Sequence, residues 1–356
     1  MAGLPSINIA FSKLGSTYVD RISNGTVALI LKEGAGTEPI KYVFGDISNV
    51  NSADWTEKNY LAMKLAFLGK PLKIIVIKIA TTEKFYTAAL QMLSTLRWNY
   101  LAVPEIAENE TAVISAWIKE QRDVSKKLYK AVLPKTAADH EGVINFSTDN
   151  IKTTLSSTSI SCGEYCARIA GLLAGLAATK SCTYYQLSEI VSCDGDINPS
   201  EQVAAGKLII LFDGEIFKIG RGINSLVTLS ATKTADFAKI KVVEGHDQYA
   251  DDIRWIFEDK YIGKMPNNYD NKLLLVAAID AYQKELISTV LSSEFNNTVQ
   301  LDLPATRKYL EDQGTQTIAM SDSDILKSDT GSNVFISSHI KFVDAIEDMV
   351  LTAYLE

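Results

Sequence analysis

The sequence is poor in the residues and motifs that carry chemistry. Its three histidines, His140, His246 and His339, lie far apart, and its four cysteines, at 162, 166, 182 and 193, form no C-x-x-C pair. That argues against zinc and against a disulfide framework. There is no G-x-x-x-x-G-K-S/T loop and no G-x-S-x-G elbow, the usual signatures of nucleotide binding and serine hydrolysis on an α/β sheet. There is no basic excess either. The 35 lysines and arginines are outnumbered by 43 acids, and the formal charge of −8 has the wrong sign for a nucleic-acid partner. No basic-then-apolar leader opens the chain, and the most apolar window, 169–178, is too short to span a bilayer. The expectation is a chain folded in the cytoplasm, with no membrane insertion and no cofactor.

What the sequence does have is core. Hydrophobic residues make up 47% and charged residues 22% of 356 positions, enough for roughly two globular domains. The densest signal is Cys162–Leu176. Ile169, Leu172, Leu173 and Leu176 recur at helical spacing, and the glycines and alanines between them allow backbones to approach. Gly171-x-x-x-Gly175 sits in too short an apolar run to be a membrane dimer motif and reads as close core packing. Cys162 and Cys166, one turn apart, read as small buried residues. Further on, Lys207–Ile219 reads as a hairpin turning at Asp213-Gly214, where positive φ is needed.

From Thr26 to Phe146 strand and helix patterns alternate. Strands are expected at 26–31, 72–79, 100–103, 128–133 and 142–146. A helix over 55–68 carries Leu61, Leu65 and Leu68. A second, capped by Thr82, carries Phe85, Ala89, Met92 and Leu96. A third, capped by Asn109, carries Val113, Trp117 and Val124. This order predicts an α/β fold: a mostly parallel sheet with helices on both faces. The 162–176 helix is its central packing element and the 207–219 hairpin an antiparallel addition. After residue 232 the pattern changes to two long helices over 245–261 and 271–291. The first carries Ile253, Ile256 and Phe257; the second carries Leu274, Ala278, Tyr282, Leu286 and Val290.

Both ends stand apart. Ile7, Ile9 and Phe11 alternate with small or polar residues but have no neighbouring hairpin partner. Met349, Leu351, Ala353 and Leu355 alternate in the same way near the other end, after β-type runs around 343–348. Such segments invite pairing with a second chain. The division expected is an arm over 1–20, an α/β domain over 21–232, an α+β domain over 233–342 and an arm over 343–356.

Candidate chemistry is thin. Gly220-Arg-Gly-Ile-Asn-Ser225 has two glycines of a dinucleotide loop but follows a hairpin instead of opening a helix. Asp194-Gly-Asp-Ile-Asn198 begins like a calcium loop, yet its twelfth position is Ala205 where glutamate is required. Asp247, Asp251, Asp252 and Glu258 read as a solvated helix face. Arg221 and Asn224 are the best polar candidates, because a guanidinium at a strand end can clamp a carboxylate of a ligand or of a neighbouring subunit.

Several segments resemble one family. Ala167–Leu176, Ser181-Cys-Thr-Tyr184, Ala205-Gly-Lys-Leu208, Arg221–Leu226 and Met265-Pro-Asn-Asn268 are similar to the contractile-tail sheath proteins. So are Gly3–Asn8 at the start and Phe342–Glu347 with Val350–Tyr354 at the close. The nearest likeness is to the short sheaths of Gram-positive phages, defective prophages and R-type bacteriocins. The resemblance implies a subtilisin-like layer without a protease site, and a homo-oligomeric helical sheath of stacked rings joined by terminal arms. It implies contraction that drives an inner tail-tube protein through a target envelope, with baseplate and tail terminator proteins as further partners. It also implies residence in a virion tail or bacteriocin particle assembled in the bacterial cytoplasm, and the 245–291 pair is the expected tube-facing element. The competing readings are an α/β nucleotide-dependent hydrolase with an unrecognised site, or another polymeric virion or surface-layer component.

Overall fold

The computed structural model describes residues 25–36, 39–83, 85–195 and 197–354. The chain divides into two compact units, one of 1–243 with 345–356 and the other of 244–344.

The first unit is built on a sheet of seven strands. In chain order these are β1 (Thr26–Lys32), β2 (Ile40–Phe44), β3 (Lys73–Ile79), β4 (Tyr100–Ala102), β5 (Lys130–Pro134), β6 (Val143–Phe146) and, later, β9 (Lys207–Leu208). Their spatial order is β2-β3-β1-β4-β5-β6-β9, parallel throughout except for β2, which runs antiparallel to β3 along the edge. Successive side chains of a strand face opposite sides, and the core divides accordingly. Val27, Leu29 and Leu31 join the cluster on one face, with helices α1 (Glu57–Phe67) and α4 (Cys162–Gly175). Ala28 and Ile30 join the cluster on the other, with α2 (Thr87–Ser94) and α3 (Thr111–Asp123). A sheet covered on both faces accounts for the uninterrupted apolar runs of β1 and β3.

Helix α4 is the centre of this unit. Ser161 and Glu164 close a capping box at its start, and nearly every residue after it is buried. Its approach to α1 is backbone on backbone. A Cβ on Gly171 would lie 2.0 Å from the Ala66 carbonyl oxygen, and one on Gly175 only 1.6 Å from that of Gly69. The small-residue spacing is therefore core packing.

Other expectations need correction. The helix expected to carry Phe85 starts at Thr87, and Phe85 is 74% exposed. Helix α3 turns Ile114 and Ile118 inward and leaves Val113 and Val124 outside, because both stripes have helical spacing and only contact with the sheet decides between them. The 207–219 stretch does not extend the sheet as a hairpin. β9 adds to β6 in parallel, while β10 (Ile210–Phe212) and β11 (Phe217–Ile219) form a separate antiparallel ribbon. That ribbon turns at Asp213 and Gly214, where φ is +102°. The only other pairing in this unit's described residues with two named strands joins β7 (Lys152–Thr153) to β8 (Ile190–Ser192).

After the short α5 (Pro199–Ala204) comes α6 (Ile240–Lys260), most of which belongs to the second unit. It begins earlier than expected because Ile240, Val242 and Val243 are buried. In the second unit, α7 (Tyr269–Leu286) buries Leu275, Ala278, Ile279, Tyr282 and Leu286 and leaves Leu274 exposed. An antiparallel pair, β12 (Thr298–Leu301) with β13 (Ile336–His339), and the helices α8 (Leu303–Asp312) and α9 (Asp322–Lys327) complete it. Gln283 donates to the hydroxyls of Tyr249 and Ser338, each at 2.7 Å, and Tyr282 donates to Asp252 at 2.9 Å. The β-type runs expected around 343–348 form no strand.

Candidate assembly site

In a sheet of this order, ligands normally bind beyond the carboxyl ends of the strands where the winding reverses, here beside β1 and β4. That position is filled by the protein's own side chains. The Tyr86 hydroxyl donates to Glu110 at 2.7 Å, and Lys32 reaches the same carboxylate at 3.8 Å and lies over the Tyr86 ring. The adjacent Glu33 accepts from the Thr56 backbone and hydroxyl and from Asn59. These groups satisfy one another.

A second cluster joins Asp123, His140 and Glu141. His140 Nδ1 accepts from the Gly142 N–H at 3.0 Å, so the proton sits on Nε2, facing Asp123 at 3.3 Å. The Lys233 ammonium lies 2.9 Å from Glu141 and 3.6 Å from Asp123. A side-chain cation thus supplies the positive charge that a metal would bring.

The third site gathers three segments distant in sequence. After α4 the chain runs through Ser181 and Thr183, then lies along β11: Tyr184 donates to Ile219 O, Ile219 to Tyr185 O, and Leu187 to Phe217 O. β11 leads into Gly220-Arg221-Gly222. Gly222 is closely packed there, since a Cβ would stand 2.8 Å from Cys182 Sγ, and its N–H donates to Thr183 Oγ1 at 2.9 Å. Into this frame comes the segment after Asp344. The hydroxyls of Ser181 and Thr183 lie 2.8 and 2.6 Å from Glu347 Oε1. Arg221 Nε donates to Glu347 Oε2 at 3.0 Å, and Nη2 to Asp348 Oδ2 at 2.6 Å. Asp348 and then Glu347 hold the Arg221 guanidinium above its ordinary pKa. The Glu347 side chain is only 8% exposed, and an open cleft of about 380 Å³ runs between Lys180–Tyr184 and Ala345–Glu347. Past Asp348 the character reverses. Met349, Val350, Leu351 and Tyr354 are between 77% and 97% exposed, with neither helix nor strand.

Arg221 therefore clamps carboxylates of its own chain. Asn224 is 1% exposed, donates to Phe237 O and accepts from the Leu226 N–H, and so fixes a turn. Met349, Leu351 and Ala353 lie on the exposed segment. Ile7, Ile9, Phe11 and Leu355 lie outside the described residues. Ser181, Thr183, Glu347 and Asp348 were not singled out by sequence reasoning as site residues. The signal available was an acidic pair directly preceding an apolar alternation, together with a strand-end arginine.

The chain matches the phage tail sheath protein central domain over residues 80–225 and the phage tail sheath C-terminal domain over 232–356. It is 37% identical to the tail sheath protein of Clostridium phage phiCD119 over 98% of each chain. The chain belongs to the phage tail sheath family. The fold agrees. A sheath tail protein from Listeria innocua superposes with a TM-score of 0.69 at 16% identity, covering 83% of this chain and 93% of that one. The helical sheath of the anti-feeding prophage in its contracted state gives 0.69 at 14% identity, covering 94% of each. This sheath protein is thus a structural component of a phage tail or a related contractile particle. Its mostly parallel, helix-covered layer is the architecture expected from the strand–helix alternation.

Proposed function

We propose that this sheath protein polymerises around an inner tail-tube protein through its two terminal arms. The polymer then contracts to drive the tube through a target envelope, and it meets baseplate and tail terminator proteins at its ends. On this reading the particle is assembled in the bacterial cytoplasm and the protein performs no catalysis. The observation that carries the reading is the segment Met349–Tyr354, an apolar stretch held out from the unit that anchors it. Exposed apolar side chains on an unpaired backbone favour strand addition to a second copy. Burying Leu351 or Tyr354 there contributes about 1.5–3 kcal/mol each, while ordering the segment costs roughly 1–2 kcal/mol per residue. One link is then weak, and a lattice of many links is strong while each joint can still turn.

Contraction needs no bound fuel on this account. Two packings of the same subunits differ in free energy, and assembly traps the higher one. The self-satisfied Lys32–Tyr86–Glu110 group at the sheet's reversal supports the absence of a nucleotide site. Negative-stain microscopy of the purified full chain tests the reading: tubes or rings are expected, and an unchanging monomer at high concentration would count against it. Added nucleotides are expected to leave the melting temperature unchanged.

A further inference from the structure

We propose that Ser181, Thr183 and Arg221 form a permanent socket for Glu347 and Asp348 of the same chain, and that only residues beyond Asp348 cross to the neighbouring copy. The proposal rests on the arm-exchange reading above and fixes where the arm begins to be free. The sequence pattern sets the start of that arm at 343. The geometry moves it to 349.

Three observations lead there. The Glu347 side chain is 8% exposed and engaged at both carboxylate oxygens, with two hydroxyls on one and the Arg221 Nε–H on the other. Those donors are themselves fixed by backbone: Thr183 Oγ1 accepts from the Gly222 N–H, and Ser181 Oγ accepts from the Thr183 N–H at 3.1 Å. A socket held from behind this way is preorganised and does not depend on the arm for its shape. The third observation is the abrupt change at the next residue. Asp348 is held by Arg221 Nη2 at 2.6 Å, whereas Met349 is 83% exposed and Ile346, on the other side of Glu347, is 98% exposed. The clamp grips the polar pair and leaves the apolar side chains outside. A device for hiding the arm until assembly would do the reverse.

The consequence concerns reach. Anchored at Asp348, the six residues Met349–Tyr354 span at most about 20–22 Å when extended. The groove that receives Leu351 and Tyr354 on the second copy therefore lies within that distance of the first copy's socket. Anchoring also raises the effective concentration of the apolar segment at that groove, because fewer free residues separate the two.

The test uses charge reversal in the full chain. R221E alone and the double variant E347R/D348R each break the clamp. Each is expected to keep the parent's circular dichroism and to polymerise about tenfold less readily, as a lost effective concentration of that order implies. R221E/E347R/D348R in one chain restores the pairing with reversed sign and is expected to polymerise nearly as the parent does. An equimolar mixture of R221E chains with E347R/D348R chains is expected to polymerise no more readily than either variant alone, because neither chain can close its own clamp. The proposal is overturned if that mixture polymerises as readily as the parent, since the clamp would then form between chains. It is also overturned if both variants polymerise like the parent, or if the triple variant stays monomeric. A chain lacking residues 349–356, run alongside, separates the two ideas: its normal polymerisation would remove the arm-exchange reading itself, whatever the clamp variants do.

Discussion

Helix α4 and the segment Ala345–Tyr354 are both strongly apolar, and they meet opposite fates. In α4 the cysteines, Ile169, Leu172 and Leu173 are buried within one unit, at the crossing with α1 and over β4 and β5. In 349–354 the apolar residues face water, just past the ion-pair clamp of Arg221 with Glu347 and Asp348. The difference teaches where the protein is finished and where it is not. A stripe at helical spacing with glycines finds its complement inside the same unit. The exposed stripe after Asp348 finds none there, and on the reading proposed above a second chain covers it.

The contrast can be broken first on its buried side. Gly171→Val places side-chain carbons where the Ala66 carbonyl stands 2.0 Å away. Backbone cannot yield as a side chain does, so the cost should exceed about 3 kcal/mol, read as little or no folded protein in a denaturant titration. A smaller but still large effect is expected for Cys166→Asp. Burial already pushes the Cys166 thiol well up, and an unpaired carboxylate there should cost on the order of 3 kcal/mol, seen as a lowered melting temperature.

The smallest effect sharpens the comparison in the second unit. Burial pushes the Asp252 carboxyl up from 3.8 to about 7, against the opposing hydrogen bond from Tyr282. The folded chain therefore binds this proton more tightly than the unfolded chain does. The group's contribution favours the fold below its unfolded pKa and is lost as pH rises through about 7. Asp252→Asn keeps the acceptor for Tyr282 and removes the ionisation. It should raise stability at about pH 8 by on the order of 1–2 kcal/mol and change little near pH 4, measured by melts at both.

How much of this was legible follows from which interactions are local. The parallel layer could be read because β1, β3 and α4 carry their environment in their own composition: unbroken apolar runs and a glycine-spaced stripe. The burial of Cys162 and Cys166 followed from the same stripe. The inward face of α3 could be read only in part: Trp117 packs against the core cluster as expected, whereas Val113 and Val124 face out and Ile114 and Ile118 face in, a choice that only the sheet makes. The ribbon's separation from the sheet was hidden because β9 and β10 are contiguous in sequence, with Ile209 alone between them. Arg221 was found by its strand-end position, but its partners lie more than a hundred residues away, at 347 and 348. The bonds of Asn224 to Phe237 and Leu226 were hidden, since a polar residue near an arginine resembles a surface pair.

The most direct measurement is sedimentation velocity of the full chain beside one lacking residues 349–356, with thermal melts of both. The account predicts that the shortened chain melts within about 1 °C of the parent, since surface segments contribute little to stability, and remains monomeric under conditions where the parent forms large polymers. A shortened chain that polymerises like the parent, or one that no longer folds, would contradict it.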